Sequence, residues 1–281
     1  MLCASSAFAA VLLAAQGSPS ATALFRDRNL EAAVREGVHA KRGTDQPLTA
    51  EDVKGLSEIA AKGRGIRDLA GLEHCAALAS LDLSGNEVSD LTPLAGLKNL
   101  QALFLARNRV RDLKPLAGLS GLQYLDLSDN DISDLSPLGG LTRLNTLSLA
   151  NNKISEAGAL SGLTRLWSLY LGGNELSTLG ALKDLRQLST LSLSRNRIAD
   201  LSPLSGLSEL KFLFLENNRI EDLGVLVAMA RKDGEKEKRF APYWRIYLSG
   251  NPLKEGARKS QMADLKAMGA TVSFDSESKR E

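Results

Sequence analysis

An asparagine returns every 22 residues along the middle of this chain: Asn86, Asn108, Asn130, Asn152, Asn174, Asn196 and Asn218. A frame of aliphatic residues travels with it. In the stretch LQYLDLSDNDISDLSPLGGL that frame is Leu122, Leu125, Leu127, Ile132, Leu135, Leu138 and Leu141. Neither a strand period nor a helical one produces such spacing over its whole length, whereas a short strand (YLDLS), a turn and an irregular return do. Repetition at this period demands a solenoid, because one coil cannot bury its apolar side until neighbours stack on it. Departures from the frame, such as Ala157 and Met229, stay apolar. The inward residues of every strand and return then build one continuous core, and neighbouring strands pair in parallel. With strands about 4.8 Å apart, roughly nine coils make a rod on the order of 40 Å long.

Asparagine suits the turn because its amide satisfies main-chain groups that the bend leaves without partners. A return of about a dozen residues has room for a short 3₁₀ turn but not for a full helix. The recurring D-L-x-P-L-x-G-L (Asp90 to Leu97, Asp112 to Leu119, Asp134 to Leu141, Asp200 to Leu207) agrees, since proline suits the start of a tight turn. The pattern L-x-x-L-x-L-x-x-N-x-L, over about two hundred residues, resembles the leucine-rich repeat. Its length is similar to that of the short class found in bacterial internalins and in eukaryotic phosphatase regulators. The expected fold is α/β: a right-handed leucine-rich-repeat solenoid with a concave parallel β-sheet and a convex side of short 3₁₀ and irregular turns. A helical N-terminal cap and a C-terminal helix–strand cap complete it.

Residues 1–23 read as an export signal: AFAAVLLAA, then turn-prone residues, then Ala21-Thr22-Ala23 in an A-x-A cleavage pattern, although no basic residue precedes the apolar run. Residues 24–55 form the cap. Asp27 starts a helix with Leu30, Ala33, Val34 and Val38 on one face, and Thr49-Ala50-Glu51-Asp52 is a capping-box start for a second. The stretch FRDRNLEAAVREGV to LTAEDVKGL is similar to the caps that precede internalin-type repeats. The solenoid is assigned to 56–254. It begins with a degenerate coil in which Ile59, Ala61, Ile66, Leu69 and Leu72 keep the frame and Arg64 replaces the asparagine. Near 231–241 the charged run RKDGEKEKR breaks the period and reads as a solvated loop, so the eighth strand becomes WRIYLSG, with Ile246 and Leu248 inward. Residues 255–275 supply a closing helix (Met262, Leu265, Met268), a stop at Gly269 and a last strand ATVSF, and 276–281 are a tail.

Few residues could carry chemistry. A net charge of +2 gives no electrostatic case for nucleic acid or an anionic membrane, and no later stretch is long enough to span one. Cys75 falls where Leu97 and Leu119 fall, which makes it a core residue, and adjacent His74 and Cys75 do not make a nucleophile–base pair. Asp126, Asp129, Asp131 and Asp134 lack the glycine and terminal glutamate of a calcium loop. Gly172-Gly173 reads as two exposed repeat positions rather than a phosphate loop. No catalytic residue, metal ligand or cofactor is expected.

What remains is surface. Between inward leucines, strand residues point out of the concave face. One outward column reads Asp82, Phe104, Asp126, Ser148, Tyr170, Ser192, Phe214, Tyr247, and the other Ser80, Ala102, Tyr124, Thr146, Ser168, Thr190, Phe212, Arg245. The leucine core needs none of these aromatics, and aromatics beside arginine are the residue types that anchor interfaces. The candidate site is therefore Phe104, Tyr124, Tyr170, Phe212, Phe214, Arg245 and Tyr247, with Arg107, Arg109, Arg195, Arg197 and Arg219 on the rim. The chain reads as a non-enzymatic, monomeric, exported module that binds a protein or peptide on the concave face, and resemblance to internalins implies the protein–protein contact. The alternative is a cytoplasmic regulatory subunit that docks on an enzyme, as the phosphatase regulators do.

Overall fold

The computed structural model describes residues 23–235 and 241–274. Its centre is one parallel sheet of strands three residues long, each paired with the next in chain order. They are β1 (Glu58–Ala60), β2 (Ser80–Asp82), β3 (Ala102–Phe104), β4 (Tyr124–Asp126), β5 (Thr146–Ser148), β6 (Ser168–Tyr170), β7 (Thr190–Ser192), β8 (Phe212–Phe214), β9 (Arg245–Tyr247) and β10 (Thr271–Ser273). Register follows the repeat: Leu103 stands opposite Leu81 and Leu125, and so on to Leu213 opposite Ile246. The middle residue of each strand from β1 to β10 is buried, and its neighbours are half-buried or exposed. The expected solenoid is thus the one formed.

The convex side is built as the proline pattern suggests. Thr92–Leu94, Lys114–Leu116, Ser136–Leu138 and Ser202–Gly206 are 3₁₀ turns with proline in their first positions. The aspartate of each motif caps its turn: Asp90 accepts from the Thr92 N–H at 2.8 Å, Asp134 from Ser136 at 2.8 Å and Asp200 from Ser202 at 2.8 Å. That explains the D of D-L-x-P-L, which the leucine frame leaves open.

Both ends are covered. Helix α1 (Arg28–Gly37) is capped by Asp27, whose Oδ1 accepts from Asn29 and Leu30 while Oδ2 accepts from Arg67 N–H at 2.8 Å. Leu30, Ala33 and Val34 face the first coil, and Phe25 lies under it. Gly71 admits this packing: its φ is +107°, and a β-carbon there would sit 2.5 Å from both the Leu24 carbonyl oxygen and the Phe25 ring. Helix α2 (Ala50–Val53) starts with the Thr49–Asp52 capping box. At the far end a π-helical turn (Ala257–Gln261) leads into α4 (Met262–Ala267), with Met262 and Leu265 buried and Gly269 at φ +96° before β10.

The charged run differs from expectation. Its start belongs to helix α3 (Gly224–Gly234), not to a loop, with Leu226, Val227, Met229 and Ala230 buried and Asp233 buried beside them. The return between β8 and β9 is longer than the others, so a full helix fits where 3₁₀ turns serve elsewhere. Residues 236–240 of the run and the export-signal residues 1–22 lie outside the described residues. Gly172 also departs from its expected exposure. It is buried, because a β-carbon there would press on the Ser194 carbonyl oxygen at 3.2 Å.

Candidate functional site

The edge that follows the strands is organised by the asparagines. Asn152 Nδ2 donates to the Leu127 and Leu149 carbonyls at 3.0 and 3.1 Å, and its Oδ1 accepts from Ile132 N–H at 3.0 Å. Each side chain therefore stitches its own turn to the preceding coil, and Asn251 does the same after the long return. Arg64 shows why the first coil can differ. It has no preceding coil to satisfy, and its guanidinium instead makes a two-pronged pair with Glu36 of α1, both contacts 2.8 Å.

Immediately before each asparagine the backbone turns left-handed. Gly85, Gly173 and Gly250 are there, but so are Arg107, Asp129, Asn151, Arg195 and Asn217, with φ from 54 to 57°. A non-glycine residue pays roughly 1 kcal/mol or more for this. Some of these side chains join across coils: Asn151 Nδ2 donates to Asp129 Oδ1 at 2.8 Å, and Arg195 donates to Asn151 Oδ1 at 2.8 Å. Arg195 reaches over a whole coil because Gly173 lies between, where a β-carbon would collide with Asn151.

The residues just after the asparagines form a ladder of alternating charge: Glu87, Arg109, Asp131, Lys153, Glu175, Arg197. Arg109 pairs with Glu87 at 2.8 Å, Lys153 with Asp131 at 2.5 Å and Arg197 with Glu175 at 3.0 Å. Of the expected rim, then, Arg109 and Arg197 are held by the fold's own carboxylates and Arg195 by Asn151, while Arg107 and Arg219 make no ion pair among the described residues. The alternation is visible in the sequence once that column is read by sign. The calcium-like aspartates are likewise engaged separately: Asp126 accepts from Ser128, Asp129 from Asn151, Asp131 from Lys153 and Asp134 from Ser136.

On the sheet, the seven predicted residues gather into two groups joined by Tyr170. Near the start, Phe104 and Tyr124 meet diagonally, with centroids 4.8 Å apart and planes 36° apart. Burial, helped by the charges of Asp126 and Tyr170, raises the Tyr124 hydroxyl above its ordinary value. Near the end, Phe214 stacks on Tyr247 across β8 and β9, with centroids 4.6 Å apart and planes 5° apart. Beside them the Arg245 guanidinium lies 5.6 Å from the Phe212 ring centre. These four residues make a two-by-two patch on two adjacent strands. Phe104, Tyr170, Phe212, Phe214 and Tyr247 are half-buried, Tyr124 is 36% exposed, and all point away from the leucine core. Apart from Tyr170, the outward positions between the patches are small and polar: Thr146, Ser148, Ser168, Thr190 and Ser192.

Cys75 is buried, and burial, with the Glu73 charge adding, pushes its thiol up to about 12, which leaves little thiolate for nucleophilic work. His74 sits outside the core beside Glu73, 4.0 Å away. Among the described residues no helix is long and apolar enough to cross a membrane. Two exposed aromatics escaped the column reading altogether. Tyr243, 67% exposed, lies in the turn before β9, and Trp167, 56% exposed, precedes β6 on the opposite edge from the asparagines.

The sequence profile described as Leucine Rich repeats (2 copies) matches residues 76–118, 98–140, 120–164 and 186–227. No curated protein sequence matches the chain. Among solved structures, an internalin C2 from Listeria monocytogenes is similar at 28% identity with a TM-score of 0.69, over 90% of this chain and 95% of that one. A leucine-rich-repeat protein from Leptospira interrogans shares the fold at 21% identity and TM-score 0.57, over 74% of this chain and 57% of that one. So does the functional domain of InlJ from Listeria monocytogenes, at 18% identity and TM-score 0.53, over 89% of this chain and 60% of that one.

Proposed function

Since the chain is an internalin-like leucine-rich-repeat protein, we propose that it is a non-catalytic recognition module which binds a protein or peptide on its concave sheet. The observation that carries this reading is the patch of Phe212, Phe214, Arg245 and Tyr247. Four large side chains stand in stacked and cation–π contact on the solvent side of strands whose core side is already filled by Leu213 and Ile246. Folding has no use for them there, whereas a partner would find rigid rings of low entropy cost and a guanidinium held in place. Phe104 and Tyr124 supply a second anchor about four coils, roughly 19 Å, away. An extended peptide or the edge of a domain spans that distance across the small polar strip between.

The test uses the partner recovered by pull-down from the producing organism, purified and titrated against variants. Phe214→Ala with Tyr247→Ala should leave the melting temperature nearly unchanged and weaken binding by about 2 kcal/mol per anchor. Lys98→Ala with Lys114→Ala, on the convex side, should change neither. Lost stability with unchanged affinity would show the aromatics to be strand formers only. We propose also that the module is exported and acts as a monomer. The support is AFAAVLLAA followed by Ala21-Thr22-Ala23, and N-terminal sequencing of native protein should begin near Leu24. An intact Met1 on cytosolic material would favour a regulatory subunit inside the cell.

A further inference from the structure

The edge that precedes the strands carries a feature the concave face does not explain. Arg143 and Arg165 occupy the same position in adjacent coils, both exposed, and together with Gln123 and Asn145 they line one shallow cleft. Among the described residues neither arginine makes an ion pair and neither amide side chain makes a hydrogen bond. On the opposite edge the fold does the reverse from Glu87 to Arg197, alternating Glu87, Arg109, Asp131, Lys153, Glu175 and Arg197, and only Arg219 after Arg197 breaks the alternation. The two arginines stand one coil apart, a step of about 4.8 Å along the sheet, and like charges at such neighbouring positions repel. Next to them stands Trp167, separated from Arg165 by the buried Leu166 and bonded through its main chain to Asn145 at 2.8 Å. A lone exposed indole is ordinary. One beside an uncompensated pair of arginines and two free amides is a recognition surface.

We propose that this cleft binds a short acidic peptide segment, its carboxylates held by Arg143 and Arg165 and its neighbouring side chain lying on Trp167. Guanidinium forks match carboxylates two bonds at a time, and the amides can take up the peptide's main-chain groups. The size of the site argues for a peptide over a nucleic acid. In the same column Ala77, Asn99 and Gly121 come before the pair and Gln187 and Glu209 after it, so positive charge in this column is confined to two coils. Further along that edge Arg186 and Lys211 are accompanied by Asp184 and Glu209. A polyanion backbone needs a longer track. The site is separate from the concave patch, so either could fail without the other.

The full chain offers its own probe, because its two tryptophans differ: Trp244 is buried and Trp167 is open to a quencher. A soluble glutamate-rich peptide should shield Trp167 from acrylamide and bind at least about tenfold more tightly than the matched glutamine peptide. Arg143→Gln with Arg165→Gln should remove that preference at unchanged melting temperature, and Phe214→Ala with Tyr247→Ala should leave it intact. Trp167→Phe, read by calorimetry, should keep most of the charge preference. Equal affinity for the two peptides would overturn the proposal. So would indifference to the arginine variant, or tighter binding of polyphosphate than of the glutamate peptide through the same arginines.

Discussion

At the scale of the residue, this protein separates positions that look alike in sequence. Asn152 and Arg64 occupy equivalent places, yet one bridges two coils and the other braces a cap. Asn152→Ala should therefore cost roughly 1–3 kcal/mol, the penalty for leaving buried carbonyls and an N–H unpaired. Arg64→Ala removes a partly exposed ion pair and should cost less than about 1 kcal/mol. Chemical denaturation of both variants checks the contrast, and equal losses would remove this account of the column. The left-handed positions make a further test. Arg107, at φ 56°, makes no ion pair, so Arg107→Gly should stabilise by about 0.5–1 kcal/mol through relief of backbone strain. Arg195→Gly should gain less, since it gives up the bond to Asn151. A residue kept there at a cost to stability is a candidate for partner contact, so a gain in melting temperature joined to weaker partner binding at Arg107 would place it in the interface.

At the scale of the element, the short turns depend on charge. Asp90, Asp134 and Asp200 cap 3₁₀ turns, and their carboxyls lie below the ordinary value of 3.8. The hydroxyl and N–H of Thr92 lower the first, those of Ser136 the second, and the N–H and hydroxyl of Ser202 the third. A depressed folded value means that the unfolded chain takes up protons first as the pH falls. The caps' contribution is complete above 3.8 and is lost as the pH drops through the lower folded values. Melting temperatures should fall as the pH drops below about 4, and the slope should flatten in a variant with all three aspartates changed to asparagine. An unchanged slope would mean that other carboxylates govern acid unfolding. Helix α3 shows the complementary point: where the return lengthens, the aspartate cap stays, Asp222 accepting from Gly224 N–H at 2.8 Å, and an apolar helix adds burial to it.

At the scale of the whole molecule, a solenoid is held by its neighbours and its ends. Cys75 sits buried near the N-terminal end, so its labelling reports the opening of the first coils. In a Cys3→Ser background a thiol reagent should modify native Cys75 very slowly. Val34→Asp, which spoils the fit of α1 on the first coil, should speed that labelling by an order of magnitude or more, on the general scale of a buried charge. Leu265→Asp in the far cap should leave it almost unaffected. Equal acceleration by both would show a fully cooperative rod rather than one that frays coil by coil.

The repeat determined the fold without help from tertiary structure, because a 22-residue leucine frame has one economical way to bury itself. The strands, the inward residues, Cys75 in the core, the Asp27 cap and the Thr49–Asp52 capping box were all legible, since each depends on local pattern. The outward columns also located the concave aromatics, but not their pairing: the Phe214–Tyr247 stack and the diagonal Phe104–Tyr124 contact depend on rotamers chosen between coils. Three further features lay beyond a reading of one coil at a time. The left-handed turn before each asparagine is imposed by the path of the chain, so arginine, aspartate and asparagine occupy it as glycine does. The rim arginines divide into paired and unpaired by the charge of the preceding coil, a relation across 22 residues. And α3 runs into the first four residues of the expected loop, Arg231 to Gly234, because its apolar residues found the end of the core, a partner that only stacking creates. Periodicity tells each residue whether to face in or out, and only assembled coils decide what it meets when it gets there.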